Sequence, residues 1–323
     1  GVTNTEFWSA QLEQNAYTMT GTGHAFASGR MSYVLGLHGA CEAIDVACSA
    51  ALVACHNARR ALQMNDSNDA LVAGVNMMFV PATLDGYAVA GLTSPSGKAR
   101  VFDARADGFV RGEGCGAGVF KAATSLLPLC VVTGSAVRQD GRSASLTAPN
   151  GRAQLQLLRA VITDASMMPA QLQLVEAAAN GSKLGDPIEA GAISGALLAL
   201  HEQAGALLAG SVKANVGHTE SASGMIGLMK LLCTMCRAQV TPNAQLAVLA
   251  THVGDSLRGA PRACVLPSQL AGASVGLLSG LASSFGLGGT IASIVPREHT
   301  RTGIDGRWPD APLRTYRRRS FLW

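Results

Sequence analysis

The chain has 323 residues, 48% of them hydrophobic and only 14% charged, a balance that builds a large buried core and argues against intrinsic disorder. Its formal charge of +4 is modest and forms no basic stripe interleaved with aromatics, which speaks against a nucleic-acid partner. No run approaches the roughly 18 consecutive apolar residues of a membrane span, and no basic-then-apolar signal segment is legible. Eight cysteines without the dense spacing of a secreted scaffold point to a reducing compartment such as the cytoplasm.

In chain order, the first informative segment is 43–52, through Asp45, Ala47, Cys48 and Ser49, where a short strand-like run meets a small-residue stretch able to start a helix at the thiol. The free N–H groups and positive dipole end of a helix N-terminus favour a thiolate, so a lowered thiol pKa and a nucleophilic Cys48 are expected. Apolar spacing predicts a helix at 52–64 and a buried strand at 69–80. Further strands are predicted at 114–121, 129–138, 172–178, 207–213, 281–285 and 291–295, with helices at 152–166, 185–200 and 221–237. The alternation predicts an α/β layered fold. Cys233 and Cys236 fall on one helix with no second pair at metal-ligand spacing, so they read as packing and no metal site is expected.

Five segments carry a resemblance to a known family. They are the Cys48 run, the charged loop 101–114, Gly185-Asp186-Pro187, the stretch from Lys213 through Gly217-His218-Thr219-Glu220, and the run 283–290 containing Gly286, Leu287, Gly288 and Gly289. In order and spacing they resemble the β-ketoacyl synthase domains of modular polyketide synthases, over nearly the whole chain to about Val295. The resemblance implies the thiolase-like fold, two βαβαβαββ halves layered as helix, sheet, helix, sheet, helix. It divides the chain into 1–121, 122–296 and a strap at 297–323, rich in proline, arginine and aromatic residues, that folds back over the domain. In relatives an opening strand and helices come before the strand that Gly1 to Phe7 resembles, so a piece of a larger polypeptide is expected.

The same resemblance assigns roles. Cys48 accepts an acyl chain from the phosphopantetheine arm of an acyl carrier protein, with no bound cofactor, and the N–H groups of Cys48 and Leu287 form the oxyanion hole. His218 stabilises the enolate from a malonyl thioester, and Lys213 organises the charge around it. Gly286, Gly288 and Gly289 let their loop approach the thioester, while Asn180 and Ser182 stand where relatives hold the pantetheine arm with threonines. Adjacent synthase domains and a homodimer are implied as partners. Asp103, Arg105, Asp107, Arg111 and Glu113 are expected to be scaffold near the site.

One departure outweighs the others: the stretch 175–187 aligns without a gap and places Ala178 where the first catalytic histidine belongs. A methyl group neither donates a hydrogen bond nor exchanges a proton. The pattern resembles non-elongating ketosynthases, which accept an acyl chain and pass it on unchanged. Leu287 stands in place of a gating Phe, and Ile291 and Ser293 replace an Asn and a His. The alternative reading is a non-catalytic, chain-length-factor-like partner of an active ketosynthase. A thiolase acting on coenzyme A thioesters fits the Gly217-His218-Thr219 pattern less well. His24, His38, His56, His201, His252 and His299 match no motif and read as surface or core residues.

Overall fold

The computed structural model describes residues 15–122, 128–199, 205–273 and 277–299. The expectations placed on residues 1–7, on His201 and on most of the strap lie outside that range. Helices α1 (Thr18–Thr22) and α2 (His24–Leu35) precede a coil that leads into the Cys48 turn. Then come α3 (Ala50–Gln63), β1 (Asp69–Asn76), α4 (Pro81–Val89) and β2 (Gly114–Lys121). Next are β3 (Val131–Gln139), α5 (Gly151–Asp164), β4 (Leu174–Glu176), α6 (Gly185–Ile193), β5 (Leu207–Gly210), the single turn α7 (Lys213–Val216) and α8 (Ser223–Arg237). The described part closes with β6 (Gln239–Val240), α9 (Thr251–Arg258), β7 (Cys264–Val265), β8 (Ala271–Gly272), β9 (Gly280–Phe285) and β10 (Thr290–Arg297).

A six-stranded mixed sheet ordered β3-β10-β9-β4-β5-β7 forms the centre, parallel from β9 to β7 and antiparallel across β3, β10 and β9. Its inner strands are buried on both faces, and β9 and β10 accordingly carry apolar or small residues on both sides. The period of two separates the faces. Val175, Leu281, Ile291 and Val295 pack with Leu157, Leu158 and Val161 of α5, whereas Leu174, Ala282, Ala292 and Ile294 pack with Leu52 of α3 and Met225, Leu228 and Leu231 of α8. Beneath α3 and α8 lies the antiparallel pair β1-β2, whose inward Val72 is buried while Leu71, Val75 and Val119 on the other face are exposed. The order is thus helix, sheet, helix, sheet, four of the five layers expected of the thiolase-like fold; among the described residues no second outer helix layer covers β1-β2.

Local chemistry sets the helix limits. Asn150 caps α5 by accepting the N–H groups of Arg152 and Ala153, and the left-handed C-cap Ala238 ends α8. In α6 the helix widens into a π-turn at Ser194–Leu198 before the predicted end at 200. The short strand-like run expected ahead of Cys48 forms no strand: residues 40–45 are mostly exposed coil, and among the described residues no neighbouring strand offers them a ladder. The strand predicted to reach 213 stops at Gly210, since Lys213 starts a helical turn.

Candidate active site

The Cys48 turn is built by contacts from three separate elements. Ala47 adopts a left-handed φ of 52°, and the Cys48 carbonyl accepts hydrogen bonds from Ser284 Oγ at 2.6 Å and Ser223 Oγ at 3.1 Å. Ser223 opens α8, and its neighbour Gly224 lets that helix lie directly on α3: a Cβ there would come within 2.5 Å of Leu52 Cγ. Between β9 and β10, Gly286 allows an equally close approach, because a Cβ there would collide with Val46 O. That approach leaves the backbone N–H groups of Leu287 and Cys48 near enough to the Cys48 sulfur to favour its thiolate. Gly289 turns the loop at φ 86° and is tied down through the Asp140 N–H, while the Leu287 side chain stays 39% exposed.

His218 arrives from the turn after α7, with Nε2 3.1 Å from Cys48 Sγ. Its Nδ1 accepts the backbone N–H of Glu220 at 3.2 Å. A nitrogen that accepts an N–H carries no proton, so the ring proton lies on Nε2 and is donated to the sulfur. Burial, reinforced by the nearby Lys213 ammonium, holds the imidazole pKa well below its usual value, so the ring is neutral at pH 7.

The thiol differs from its sequence expectation. Burial pushes Cys48 up to about 11; the Lys213 charge and the two backbone N–H groups act in the opposite direction, and Glu220 adds to the rise. A helix N-terminus does follow the thiol, yet the loss of water outweighs it. The resting site therefore holds a neutral thiol beside a neutral imidazole.

Ala178 lies at the same site, since Lys213 Nζ donates to its carbonyl oxygen at 2.9 Å and Glu189 Oε1 accepts its N–H at 2.8 Å. Burial raises the Glu189 carboxyl to about 7, opposed by the Ala178 N–H and the Lys213 charge. Ser211 Oγ holds the Ala179 carbonyl, and Asp186 accepts the N–H groups of Asn180, Gly181 and Ser182. The N–H and the carbonyl of Ala178 are thus both bonded, and the side chain there is a methyl on a partly exposed residue. Ser182 Oγ also accepts the Gly185 N–H at 3.0 Å, which places its hydroxyl at the start of α6, and Asn180 stands beside it, partly exposed.

The charged loop is tied into the fold at several points. Asp103 binds Arg105 and the N–H groups of Ala247 and Val248, Asp107 binds Ser94, Ser96 and Arg100, and Glu113 accepts the Met78 N–H. Arg111 instead pairs with Glu220, two residues from His218. Sequence reasoning brought Cys48, His218, Lys213, Leu287 and Ala178 together. It missed Ser223 and Ser284, which act on a backbone carbonyl that no motif reveals, and it passed over Glu220, whose only signal was an acidic residue closing the histidine motif.

Comparison with known proteins agrees with this architecture. Residues 2–125 match the β-ketoacyl synthase N-terminal domain and residues 129–247 the β-ketoacyl synthase C-terminal domain. Among curated proteins, a phenolphthiocerol/phthiocerol polyketide synthase polypeptide of Mycobacterium tuberculosis is 41% identical over 295 residues, 89% of this chain and 16% of that protein. A second polypeptide of the same synthase and organism is 39% identical over 289 residues, 87% of this chain and 18% of that protein. The chain therefore spans less than a fifth of the length of these relatives. Of solved structures, the ketosynthase from module 6 of the bacillaene synthase of Bacillus subtilis 168 superposes with a TM-score of 0.81 at 32% identity, covering 90% of this chain and 53% of that one. An oxazolomycin ketosynthase domain of Streptomyces albus JA3453 gives 0.83 at 30% identity, covering 88% and 52%. The chain belongs to the β-ketoacyl synthase family. Within it, the chain is a ketosynthase domain of the polyketide synthase type.

Proposed function

We propose that this domain is an acyl-transferring ketosynthase that loads an acyl chain onto Cys48 and is impaired in decarboxylative condensation. In the loading step Cys48 Sγ attacks the carbonyl carbon of a carrier-bound thioester. The new S–C bond forms as the bond to the pantetheine sulfur breaks, and the thiol proton ends on the departing pantetheine thiol. The N–H groups of Leu287 and Cys48, which already favour the thiolate, are the proposed oxyanion donors, and donors placed at such a site supply much of the stabilisation in acyl transfer.

Condensation asks for more. An enolate from a malonyl thioester needs donors on its oxygen, and here His218 Nε2–H supplies one while Ala178 supplies none. Losing one positioned group of this type costs on the order of 10² to 10⁴ in rate. Asn180 and Ser182 are the proposed contacts for the pantetheine arm, and an acyl carrier protein and neighbouring synthase domains the proposed partners. The division at 121/122 and 296/297 is proposed as the boundary between the halves and the strap.

The observation that carries the reading is a complete Cys48 site standing beside a fully hydrogen-bonded backbone frame that holds alanine instead of histidine. Intact-protein mass spectrometry with an acyl N-acetylcysteamine thioester tests it. The chain gains one acyl mass and Cys48→Ala gains none; an adduct that persists in Cys48→Ala rules out this nucleophile.

A further inference from the structure

Three stretches that meet at Cys48 are far apart in sequence, and one atom joins them. The carbonyl oxygen of Cys48 accepts from Ser284 Oγ at 2.6 Å and from Ser223 Oγ at 3.1 Å, and the two hydroxyls lie 3.2 Å from each other. A hydroxyl has one proton to give and a carbonyl oxygen has two lone pairs, so the oxygen is saturated when both serines donate to it. The shorter distance makes Ser284 the principal donor. Ser284 is 1% exposed and Ser223 2%, so a carbonyl that loses either partner stays short of a hydrogen bond.

The place of each serine in its own element gives the pair its meaning. Ser223 is the first residue of α8, joined to the His218 turn through the short helical turn Glu220–Ala222. Ser284 stands at the end of β9, just ahead of the Gly286-Leu287 loop, and its strand position is set by pairing with Ala292 of β10. The Cys48 turn itself is strained: Ala47 takes a φ of 52°, a left-handed conformation that a non-glycine residue keeps only when its surroundings impose it. Ser49 Oγ is used inside the turn, on Val46 O at 3.1 Å, so the grip from outside falls to the other two hydroxyls. One carbonyl oxygen thus ties the Cys48 turn to the segment that delivers His218 and to the strand that delivers Leu287.

We propose that Ser223 and Ser284 are positioning residues for Cys48: by sharing its carbonyl oxygen they hold the Cys48 turn in register with His218 and with the Leu287 loop. Neither hydroxyl touches the reacting atoms; both act through the backbone that carries the thiol. Register matters because acyl transfer needs the sulfur, the donors and the substrate carbonyl aligned together, and a displacement of about 1 Å costs about 10² in rate. A slackened turn leaves the contacts to the rest of the thioester in place, so the loss falls on bond formation and not on binding. This inference rests on the acyl-loading reading for its kinetic consequence, and a second measurement reads the carbonyl in the resting protein, whether or not Cys48 acylates.

The test combines kinetics with NMR on the full chain. With an acyl N-acetylcysteamine thioester as probe, Ser284→Ala lowers the saturating rate of Cys48 acylation by about 10- to 100-fold while the half-saturating concentration stays within about twofold of wild type. Ser223→Ala acts in the same direction by a smaller factor, about threefold, because its bond is the longer one. Cys48-Ser49 is the only Cys-Ser step in the sequence, so labelling with 13C-carbonyl cysteine and 15N-serine gives a single carbonyl-to-amide correlation, that of the Cys48 peptide. Its carbon signal moves upfield in both variants, as a carbonyl does on losing a hydrogen bond. Should Ser284→Ala not fold, Ser223→Ala reads the same carbonyl and the same rate. An unmoved carbonyl signal overturns the proposal, as does a wild-type saturating rate, or a loss confined to the half-saturating concentration, in a folded Ser284→Ala chain. A wild-type chain that takes up no acyl group defeats the loading reading instead, and the clasp then stands or falls on the carbonyl signal.

Discussion

At the scale of single residues, the resting thiol is the quantity that most constrains the chemistry. With Cys48 raised to about 11, roughly one molecule in a thousand carries the thiolate at pH 8. Alkylation of Cys48 by iodoacetamide, followed by peptide mass spectrometry, should therefore climb about tenfold per pH unit from 7 to 10. A plateau near pH 8.5 would mark an ordinary thiol and contradict the buried, neutral site. Gly286 offers a second test: a Cβ there would collide with Val46 O, so Gly286→Ala should displace the Leu287 N–H and lower the acylation rate by about 10² or more. Acylation at the wild-type rate in that variant would show that the loop's close approach does not matter. Ala178→His meets a frame whose N–H and carbonyl are already bonded to Glu189 and Lys213, so β-ketoacyl product should rise, by only part of the 10² to 10⁴ range because Asn180 and Ser293 also depart from the family pattern.

At the scale of elements, α3, which follows Cys48, is fastened to the second half of the molecule by charge. Arg59 and Arg60 both reach Asp164 at the end of α5, at 2.6 and 2.8 Å, and the Arg59 side chain is only 11% exposed. Burial works against ionising Asp164, but the Ser135 N–H and the two guanidinium groups more than offset it and hold the carboxyl below its usual range. A carboxylate whose pKa is depressed by folding stabilises the native state above its unfolded pKa of about 3.9 and ceases to as pH falls through the folded value. Asp164→Asn should thus unfold more easily in urea at pH 7, by about 1–3 kcal/mol, with the difference from wild type shrinking below about pH 4. A difference that stays constant down to pH 3 would show that the pair contributes through packing alone. Elements with buried residues in register were the legible ones: 281–285 falls within the almost fully buried β9, and 152–166 overlaps all but the first residue of α5 with its Leu157, Leu158 and Val161. α4 escaped notice because Pro81 opens it, Gly86 interrupts it and none of its residues is buried, so no period is present to read. In α9, Val253 and Leu257 are too few to show a repeat across eight residues. The proposed catalytic trio was legible because its thiol, imidazole and ammonium lie in recognisable runs; the serines that hold the Cys48 carbonyl work through generic hydroxyl-to-backbone bonds that leave no mark in sequence.

At the scale of the whole molecule, two sheets share one pair of helices, and the two sheets differ in how completely they are covered. The inner strands of the six-stranded sheet are buried on both faces, so Leu157→Ala, with its side chain fully buried against that sheet, should cost about 2–5 kcal/mol in denaturant unfolding. The outer face of β1-β2 behaves as surface: Val119 is 62% exposed, and Val119→Thr should change stability by less than about 0.5 kcal/mol. A large loss from Val119→Thr would mean that this face is covered in solution. The layered arrangement places Cys48 between the sheets, where α3 begins, with His218, Lys213 and the Leu287 loop delivered from the second half of the sequence. In the proposed function, loading needs only that meeting point, whereas condensation needs position 178 as well. The direct measurement is to supply the protein with an acyl carrier thioester and a malonyl carrier thioester together and to follow both acyl-Cys48 and β-ketoacyl product by mass spectrometry. Acyl-Cys48 should accumulate to about one per chain while β-ketoacyl product forms on the order of 10² to 10⁴ times more slowly than loading. Product that forms as fast as Cys48 loads, with no standing acyl-enzyme, would contradict the account.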